Sequence, residues 1–375
     1  MQNEVNISFL GDLCPINRVE KLILDKTYDG FSDLTQILAK QDLVIANLEC
    51  PLTDTNRKIK KIGPNLKANT GSIDLIKHLN ISIAALANNH ILDFGQEGMS
   101  DTLSLLRENG VNYVGGGMNI KEAKKPLIID KNGLKICFIN VCEREFNIAR
   151  ENYAGANPNE IFNTIKAIEE NKNLVDFVIL IYHGGAEYYN LPTPNMQKCL
   201  RFYASIGVDL IIGHHSHIVS GYEIQYSTPI FYSLGNFIFD WKNKPDFWNE
   251  SIIVNARLKK GSEISFEIIP LLQCKEEPGV RLLKGDLKIN KIHQIKDLCS
   301  LIENESWIND EWKSFCKSQS KEIFAKIFSI NKNHKRLMTR GIMPNVLLSD
   351  KKKLILFNQF FCESHRDVIF EILND

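Results

Sequence analysis

The sequence lacks any apolar run long enough to cross a bilayer, which takes roughly eighteen or more residues in succession. Its first residues, MQNEVNISFLGDLCP, also lack the basic flank and the apolar stretch of about seven to fifteen residues that mark a secretory signal. Together these absences predict a soluble cytoplasmic protein without a membrane span.

Net charge is missing too, because 45 basic residues balance 45 acidic ones. A neutral chain has no overall electrostatic attraction to nucleic acid or to an anionic membrane surface. The nine cysteines contain no CxxC pair, and several lie in apolar runs, as Cys137 does in LKICFINV, which is typical of reduced core thiols. The sequence therefore indicates no nucleic-acid partner, no structural zinc site and no disulfide framework.

What the sequence does contain is a regular alternation of short β-branched apolar runs and amphipathic stretches over residues 1 to about 240. This alternation is typical of an α/β fold in which helices cover a sheet. The predicted strands are VNISFLGD, DLVIANLE, ISIAALANNH, LKICFINV, DFVILIYHGG, VDLIIGHHSH and PIFYSLGNF. The predicted helices cover residues 30–40, 71–79, 96–108, 158–172 and 195–206. Open sheets bind ligands at the carboxyl ends of their strands, so a site is expected there.

The pattern changes after residue 250. The run ESIIVNARLKKGSEISFEIIPLL has two alternating segments around Lys-Lys-Gly-Ser and predicts a hairpin that closes a first domain of residues 1–275. Residues 276–375 have aromatic side chains in helix-like spacing and predict a mainly helical C-terminal region. This region is mildly basic, which fits either solvated helix faces or a docking surface for a partner in a biosynthesis complex. We expect residues 1–275 to fold without this region. The alternative is that its apolar stretch 354–373 packs on the first domain and is needed to cover it.

The residues capable of metal chemistry lie where the predicted strands end. In chain order they are Asp12, Glu49, Asn88, Asn89, His90, His183, His214, His215 and His217. Each one alone has an ordinary explanation as a turn residue, a strand-end charge or a hydrogen-bonded histidine. Together, carboxylate, carboxamide and imidazole groups form the ligand set of borderline divalent ions such as Zn, Mn or Fe, whereas Ca and Mg prefer oxygen ligands alone. Two such ions about 4 Å apart generate hydroxide and clamp a phosphoryl oxygen in two-metal hydrolases.

The segment GHHSH at 213–217 leaves two ligand registers open. If the segment stays extended, His215 and His217 point to one side while His214 turns the other way. The pair His214 and His217 instead requires a tight turn around Ser216, with no glycine inside the segment to ease it. The extended geometry favours His215 and His217 as ligands and His214 as a supporting residue that donates to a carbonyl or carboxylate.

Six motifs occur in order over about 240 residues. They are GD at 11–12, ANLECPLT at 46–53, ALANNHILDFGQEGMSDTL at 85–103, YHGGAEYY at 182–189, GVDLIIGHHSHIVSGYEI at 207–224 and FYSLGNFIFD at 231–240. Their order resembles the metallo-dependent phosphatase (calcineurin-like phosphoesterase) superfamily and, within it, the branch named for the capsule synthesis protein CapA, which is involved in poly-γ-glutamate capsule biosynthesis. The resemblance implies a four-layer α/β/β/α sandwich with one or two divalent ions (Mn, Zn or Fe) held at the strand ends.

The resemblance also implies a role for each matching residue. The implied metal ligands are Asp12 and His217 for the first ion, Asn89, His183 and His215 for the second, and Glu49 at the place of the superfamily's bridging aspartate. His90 matches the histidine that protonates the leaving group, and Asp93 would orient it.

Three departures from the superfamily pattern bear on the metals. The first motif, D-x-H, is Asp12-Leu13-Cys14 here, so one ligand of the first ion is either missing or replaced by a thiolate. The aspartate of the second motif is the longer Glu49, and GNH has become NNH at 88–90. Both a single-metal and a two-metal site therefore stay open.

Further residues at the same edge are candidates for substrate contact, namely Asn88, Glu187, Tyr188 and Asn236. The Gly-Gly pair before Glu187 and Tyr188 lets backbone N–H groups approach an anion, although a salt-bridged loop carboxylate explains Glu187 equally well. The basic segment NRKIKK at 56–61 either meets an anionic substrate or is a solvated run of charge.

Three functions fit these residues. The first is a metal-dependent hydrolase of capsule or cell-envelope polymer biosynthesis, acting on an anionic polymer or a phosphoester. The second is a non-catalytic assembly component of a polymer biosynthesis complex, and the third is a cytoplasmic nucleotide phosphatase. Metal content and turnover of a chromogenic phosphodiester separate the first from the second.

Overall fold

The computed structural model describes residues 3–329, 331–342, 355–356 and 360. Most of the apolar stretch 354–373 thus lies outside the described residues. The chain divides into two compact units, Met1–Ile308 and Asn309–Asp375. All candidate site residues belong to the first unit.

Strands and helices alternate through most of this unit, as the sequence pattern predicts. In chain order the strands are β1 (Glu4–Cys14), β2 (Leu43–Leu48), β3 (Ile83–Ala85), β4 (Asn112–Val114), β5 (Gly116–Gly117), β6 (Leu127–Lys131), β7 (Leu134–Cys142), β8 (Gly155–Ala156), β9 (Phe177–His183), β10 (Leu210–His214), β11 (Tyr222–Gln225), β12 (Thr228–Phe231), β13 (Asn236–Phe239), β14 (Glu250–Lys259), β15 (Ser265–Gln273) and β16 (Val280–Leu282). The helices are α1 (Arg18–Leu24), α2 (Ser32–Leu38), α3 (Ile73–His78), α4 (Gly95–Glu108), α5 (Ile120–Ala123), α6 (Ile161–Asn171), α7 (Pro194–Ser205), α8 (Gly285–Ile302), α9 (Glu305–Phe328) and α10 (Lys332–Thr339).

Two larger sheets carry the site. The first has the order β16-β15-β14-β1-β2-β3-β4, with β13 also paired to β1, and the second has the order β11-β12-β10-β9-β7-β6. Strands β1, β2 and β3 are parallel to one another, and so are β7, β9 and β10. Their carboxyl ends therefore reach the same edge of each sheet. The hairpin expected after residue 250 is confirmed, because β14 and β15 pair antiparallel.

The alternation of side chains along β1 shows how the layers are built. Val5, Ile7 and Phe9 belong to an apolar cluster that also contains residues of β7, β9 and β10, so this cluster lies between the two sheets. Leu10 and Leu13 lie on either side of an irregularity in the pairing and join a second cluster with the helices α1 to α4. One face of the first sheet thus meets the second sheet and the other face meets helices.

Helices also cover the outer face of the second sheet, where α6 packs against β7 and α7 against β10. Helix α7 begins where the sequence favours a start, because the Thr193 side chain accepts a hydrogen bond from the Met196 N–H and Pro194 occupies the first turn. The expected four-layer α/β/β/α arrangement and the helical C-terminal region are confirmed. No helix in the described part of the chain is both long and apolar enough to span a membrane.

Helix α8 follows the closing hairpin and belongs to the first unit. It packs against β11 and β15 and adds Ile295, which is 1% exposed, to the apolar cluster between the sheets. The expected domain boundary after residue 275 stays a prediction. It precedes α8, whereas the division between the two compact units follows this helix.

Two glycines bring backbone close to the strand ends. A Cβ on Gly11 would lie 2.0 Å from the carbonyl oxygen of Gly235, and a Cβ on Gly213 would lie 2.3 Å from that of Tyr232. Only glycine permits these approaches, and the one at Gly11 sets Asp12 beside Asn236 in the pairing of β1 with β13. The glycines of the GD and GHHSH motifs thus fix where the following polar side chains lie.

Candidate metal centre

The predicted metal ligands meet in one buried cleft at the strand ends. Asp12, Glu49 and His217 form one cluster of potential ligands, and Glu49, His183 and His215 form another. Within each cluster the ligand atoms all lie within 4.8 Å of one another. Glu49 belongs to both clusters, which is the position of a bridging ligand between two ions.

Glu49 is the most unusual group of the cleft. Its side chain is 0% exposed, and neither carboxylate oxygen has a hydrogen-bond partner among the residues that the structure describes. A buried carboxylate without partners is strongly destabilising, so this group suits a bound cation. Burial and the neighbouring charge of Asp12 raise the pKa of Glu49 well above its usual range.

Asp12 is equally buried but is better supported. Its Oδ1 atom accepts a hydrogen bond from Asn47 Nδ2 at 2.8 Å and lies 3.0 Å from His214 Nδ1. Burial alone would raise the pKa of Asp12, but the neighbouring imidazoles of His214 and His217 outweigh it and hold the pKa of this carboxyl well below its usual range. Its Oδ2 atom has no hydrogen-bond partner among the described residues and is the oxygen available to an ion.

The histidines of the second cluster are in the protonation state that a metal requires. Burial, followed by the charge of His215, lowers the pKa of His183 well below its usual range. Burial and the charge of His217 lower the pKa of His215 to about 4. Both imidazoles are therefore neutral near neutral pH and have a lone pair to offer. His183 Nε2 lies 3.1 Å from His215 Nδ1 and 3.1 Å from the Oδ1 atom of Asn89, which places Asn89 at the second cluster.

The GHHSH segment reaches this arrangement by a different backbone from the expected one. Strand β10 ends at His214, and His215 and His217 have φ angles of 97° and 62°. The prediction of an extended segment is wrong, because the chain turns in the left-handed region immediately after the strand. This turn still brings His215 and His217 into the clusters, and His214 contacts the Asp12 carboxylate as a supporting residue does.

His90 and Asp93 lie together beside Asn89, as the resemblance implies. His90 Nδ1 is 2.7 Å from Asp93 Oδ2, and the same oxygen accepts the Leu66 N–H at 2.7 Å. A third residue joins them, because the Lys61 ammonium forms an ion pair with Asp93 Oδ1. This role of Lys61 was not predicted from the sequence, where the residue belongs to a basic segment; no local pattern in NRKIKK distinguishes it from its neighbours.

The four candidates for substrate contact lie in two different environments. Glu187 and Tyr188 are exposed, and the Tyr188 ring lies 6.5 Å from that of His217, so both border the opening of the cleft. Asn88 and Asn236 are 0% exposed. Their amides are bonded within the protein, which favours a supporting role over contact with substrate.

The two buried amides, Asn88 and Asn236, form hydrogen bonds that fix the backbone and side chains around the cleft. Asn88 Nδ2 donates to the Leu48 carbonyl at 2.8 Å, and its Oδ1 accepts the His90 N–H at 3.2 Å. Asn236 Oδ1 lies 3.0 Å from His217 Nδ1, and its Nδ2 donates to the carbonyls of His217 and Trp248. Asn236 therefore orients His217.

Asn47 is a further supporting residue that was not predicted from the sequence. Its Nδ2 atom lies 2.8 Å from Asp12 Oδ1 and 3.2 Å from His183 Nδ1, so one amide contacts a member of each cluster. Asn47 stands two residues before Glu49 in the ANLE motif, and in an extended segment residues at that spacing point to the same side, so the sequence did contain an indication of this role.

Cys14 occupies the position where the superfamily pattern has a histidine. It is completely buried and belongs to neither cluster of potential ligands in the described chain. Burial and the neighbouring Cys50 raise the pKa of its thiol well above the usual range. Because its sulfur lies outside both clusters, the structure favours a missing ligand over a thiolate.

Comparison with known proteins places these residues in a wider group. The family model described as "Bacterial capsule synthesis protein PGA_cap" matches residues 6–241. The PGA biosynthesis protein CapA of Bacillus subtilis (strain 168) is 34% identical over 275 residues, covering 71% of each chain. The capsule biosynthesis protein CapA of Bacillus anthracis is 29% identical over 283 residues, covering 72% of this chain and 68% of its own. Among solved structures, a hypothetical protein from Thermus thermophilus aligns with a TM-score of 0.44 at 16% identity, over 71% of this chain and 99% of its own.

Proposed function

Because the chain belongs to the bacterial capsule synthesis protein family PGA_cap, we propose that it acts in capsule or cell-envelope polymer biosynthesis as a metal-dependent hydrolase. The pathway is supported by the relatives that are named for capsule and PGA biosynthesis. The substrate in this proposal is an anionic polymer or a phosphoester.

One observation carries the hydrolase part of the proposal. Glu49 is shared by two clusters of potential ligands, and both of its buried oxygens lack hydrogen-bond partners among the described residues. An ionised carboxylate buried next to a second carboxylate needs a cation to compensate it or must take up a proton, and a bound divalent ion supplies that compensation.

The donor set fits one or two borderline divalent ions such as Mn, Zn or Fe. Asp12, Glu49 and His217 would hold one ion, and Glu49, His183 and His215 the other, with the Asn89 oxygen beside them. When bound, such ions activate water and polarise the bond under attack.

The remaining chemistry belongs to side chains around the cleft. Asp93 holds His90 at Nδ1, so the imidazolium form of the ring would donate its Nε2 proton to the departing oxygen. Tyr188 and Glu187 border the opening and would contact the part of the substrate that extends beyond the metals.

Metal analysis of protein purified without chelator, combined with hydrolysis assays, tests the proposal. The assay substrates are bis-p-nitrophenyl phosphate and a nucleoside monophosphate. We expect bound metal and phosphodiester turnover in the natural protein, and loss of both in Glu49→Gln. The matched control is Glu170→Gln, a change of an exposed carboxylate on α6 that should leave metal and turnover unchanged.

Other outcomes point to the alternatives. Protein that binds metal but hydrolyses no ester would contradict the hydrolase and favour a non-catalytic assembly component. Turnover of the nucleoside monophosphate alone would favour a nucleotide phosphatase. A protein that binds no divalent ion would overturn the proposal.

A further inference from the structure

A lysine is buried beside the two residues that would handle the proton. The Lys61 side chain is 2% exposed, and its Nζ atom contacts Asp93 Oδ1 and lies 3.2 Å from His90 Nδ1. The same ammonium is 3.5 Å from the carbonyl oxygen of Asn89. Lysine is almost never buried to this extent without a compensating charge, and here that charge is Asp93, which is itself 0% exposed.

The chain around Lys61 is fastened to residue 93 on both sides. Before it, the Ile59 N–H donates to the Asp93 carbonyl at 3.0 Å. After it, Asn65 Nδ2 donates to the same carbonyl at 3.1 Å, and the Leu66 N–H donates to Asp93 Oδ2 at 2.7 Å. These hydrogen bonds fix the position of the Lys61 ammonium. A lysine in a solvated run of charge would not need such a fixed position.

The contacts divide the two oxygens of Asp93 between different donors. Lys61 takes Oδ1, while Oδ2 receives the Leu66 N–H and lies 2.7 Å from His90 Nδ1. An ammonium has only donors, so the His90 Nδ1 proton must point to Asp93 and not to Lys61. The orientation of the ring and its tautomer are both defined by this arrangement.

We propose that Lys61 is a positioning residue that holds Asp93 so that His90 keeps its Nδ1 proton on Asp93 and presents Nε2 to the leaving group. This inference rests on the proposed hydrolase function. As the ester bond breaks, its electron pair goes to the departing oxygen, which takes the Nε2 proton of a His90 imidazolium that carries protons on both nitrogens. The neutral ring that remains keeps its one proton on Nδ1, in the hydrogen bond to Asp93. Lys61 transfers no proton and does not touch the substrate.

The test compares leaving groups, because a good leaving group departs without a proton and a poor one does not. Lys61→Met should lower kcat on an alkyl phosphodiester by about a hundredfold while changing kcat on bis-p-nitrophenyl phosphate by less than about threefold. KM and bound metal should stay unchanged. The combination of Lys61→Met with His90→Asn should be no slower than His90→Asn alone, since both changes remove the same step.

Lys67→Met is the matched control. Lys67 lies in the same loop and also uses its ammonium within the protein, donating to the Thr55 carbonyl at 2.6 Å and to Asn56 Oδ1 at 3.1 Å. It does not contact the histidine–aspartate pair. Lys67→Met should have the same kcat as the natural protein on both substrates. If Lys61→Met instead lowers kcat equally on both substrates, Lys61 has only a structural role and the inference is wrong.

A second measurement does not depend on turnover. Protein with ¹⁵N-labelled histidine should show the His90 proton on Nδ1 in a hydrogen bond to a carboxylate, with His90→Asn identifying the signals. Lys61→Met, or Lys61→Gln if the first variant does not fold, should shift this tautomer equilibrium. A natural protein whose His90 Nδ1 carries no proton, or variants with unchanged signals, would overturn the inference. If no ester is hydrolysed at all, the proposed function is wrong. The NMR measurement would still show whether Lys61 determines the position of the His90 proton.

Discussion

Glu49 Oε1 lies between two imidazoles, 3.9 Å from His183 Nε2 and 3.7 Å from His217 Nε2. Both distances are too long for a hydrogen bond. They match the separation of about 3 to 4 Å between two atoms that each bind the same ion at about 2 Å. The carboxylate is therefore spaced as a ligand shared between the two histidines.

Glu49→Gln should stabilise the metal-free protein at about pH 8 by roughly 1 to 3 kcal/mol. Burial and Asp12 raise the pKa of Glu49 well above its usual range, so the ionised form destabilises the fold at pH values above the raised pKa. This destabilisation shrinks as the pH falls through the raised pKa and vanishes below the pKa of the unfolded chain, about 4.3. Thermal unfolding in chelator at several pH values measures the difference. A variant less stable than the natural protein in chelator at the higher pH would contradict it, whereas added metal should stabilise only the natural protein.

His90→Asn should separate catalysis from metal binding. A general acid contributes about a hundredfold or more and is not a ligand, so turnover should fall while bound metal stays nearly unchanged. His215→Ala should lose metal and turnover together, because His215 belongs to the second cluster. Metal analysis beside the phosphodiester assay tests both, and an empty site in His90→Asn would refute this division of roles.

Alanine substitution at each of the three neighbouring histidines tests the ligand register. His215→Ala should lose nearly all of the metal bound by the second cluster, and His217→Ala nearly all of the metal bound by the first. His214→Ala should weaken metal binding only about tenfold, since its role is to support Asp12 through a contact of 3.0 Å. Titration of each variant with metal gives the affinities. Equal losses at 214 and 215 would show that the wrong histidine was chosen.

Asn236→Ala should weaken metal binding by about ten- to a hundredfold, because it removes the amide that orients His217. If Asn236 instead faces the substrate, as expected from the sequence, KM should rise while metal affinity stays unchanged. Asn249→Ala is a matched control, since its amide donates to the Gln273 carbonyl at 2.9 Å rather than to a candidate ligand.

A chain of residues 1–308 should unfold at a higher temperature than one of residues 1–275. The shorter chain loses α8, with the buried Ile295 and the hydrogen bond of 2.8 Å from Gln197 to the Ile302 carbonyl. Removing one such buried aliphatic side chain costs about 2 to 5 kcal/mol, which is a large part of the stability of a typical domain. Calorimetry of both chains measures the difference. Equal stability would support the boundary after residue 275.

The sequence brings the members of the two clusters together because each of them lies at, or within three residues of, the carboxyl end of a parallel strand. Asp12, Glu49 and His183 follow apolar runs whose carboxyl ends share one edge, so strand order alone brings them together. The layers follow from the same alternation of apolar residues. These features depend on local periodicity, which the sequence displays directly.

Contacts that depend on the direction of a single side chain are not predictable in this way. Asn88 and Asn236 have the polarity of substrate-binding amides, but the turn after β3 directs Asn88, and the start of β13 directs Asn236, into the protein. Lys61 lies in a segment that has the composition of a solvated loop, and only its hydrogen-bonded path past Asp93 buries it. Sequence identifies the chemical group in each case, and the tertiary path decides what the group contacts.

Strand β1 is synthesised long before β14, yet one of its edges pairs with that strand. Ser8 lies opposite Asn255, which is 247 residues later in the chain. That edge has no partner on the ribosome until most of the first unit has emerged, and unpaired edges invite association with other chains. Pairings of such long sequence separation also form slowly. The yield of active protein in the cell therefore depends on protection of this edge during synthesis, and a nascent chain stalled before β14 is the species most prone to aggregate.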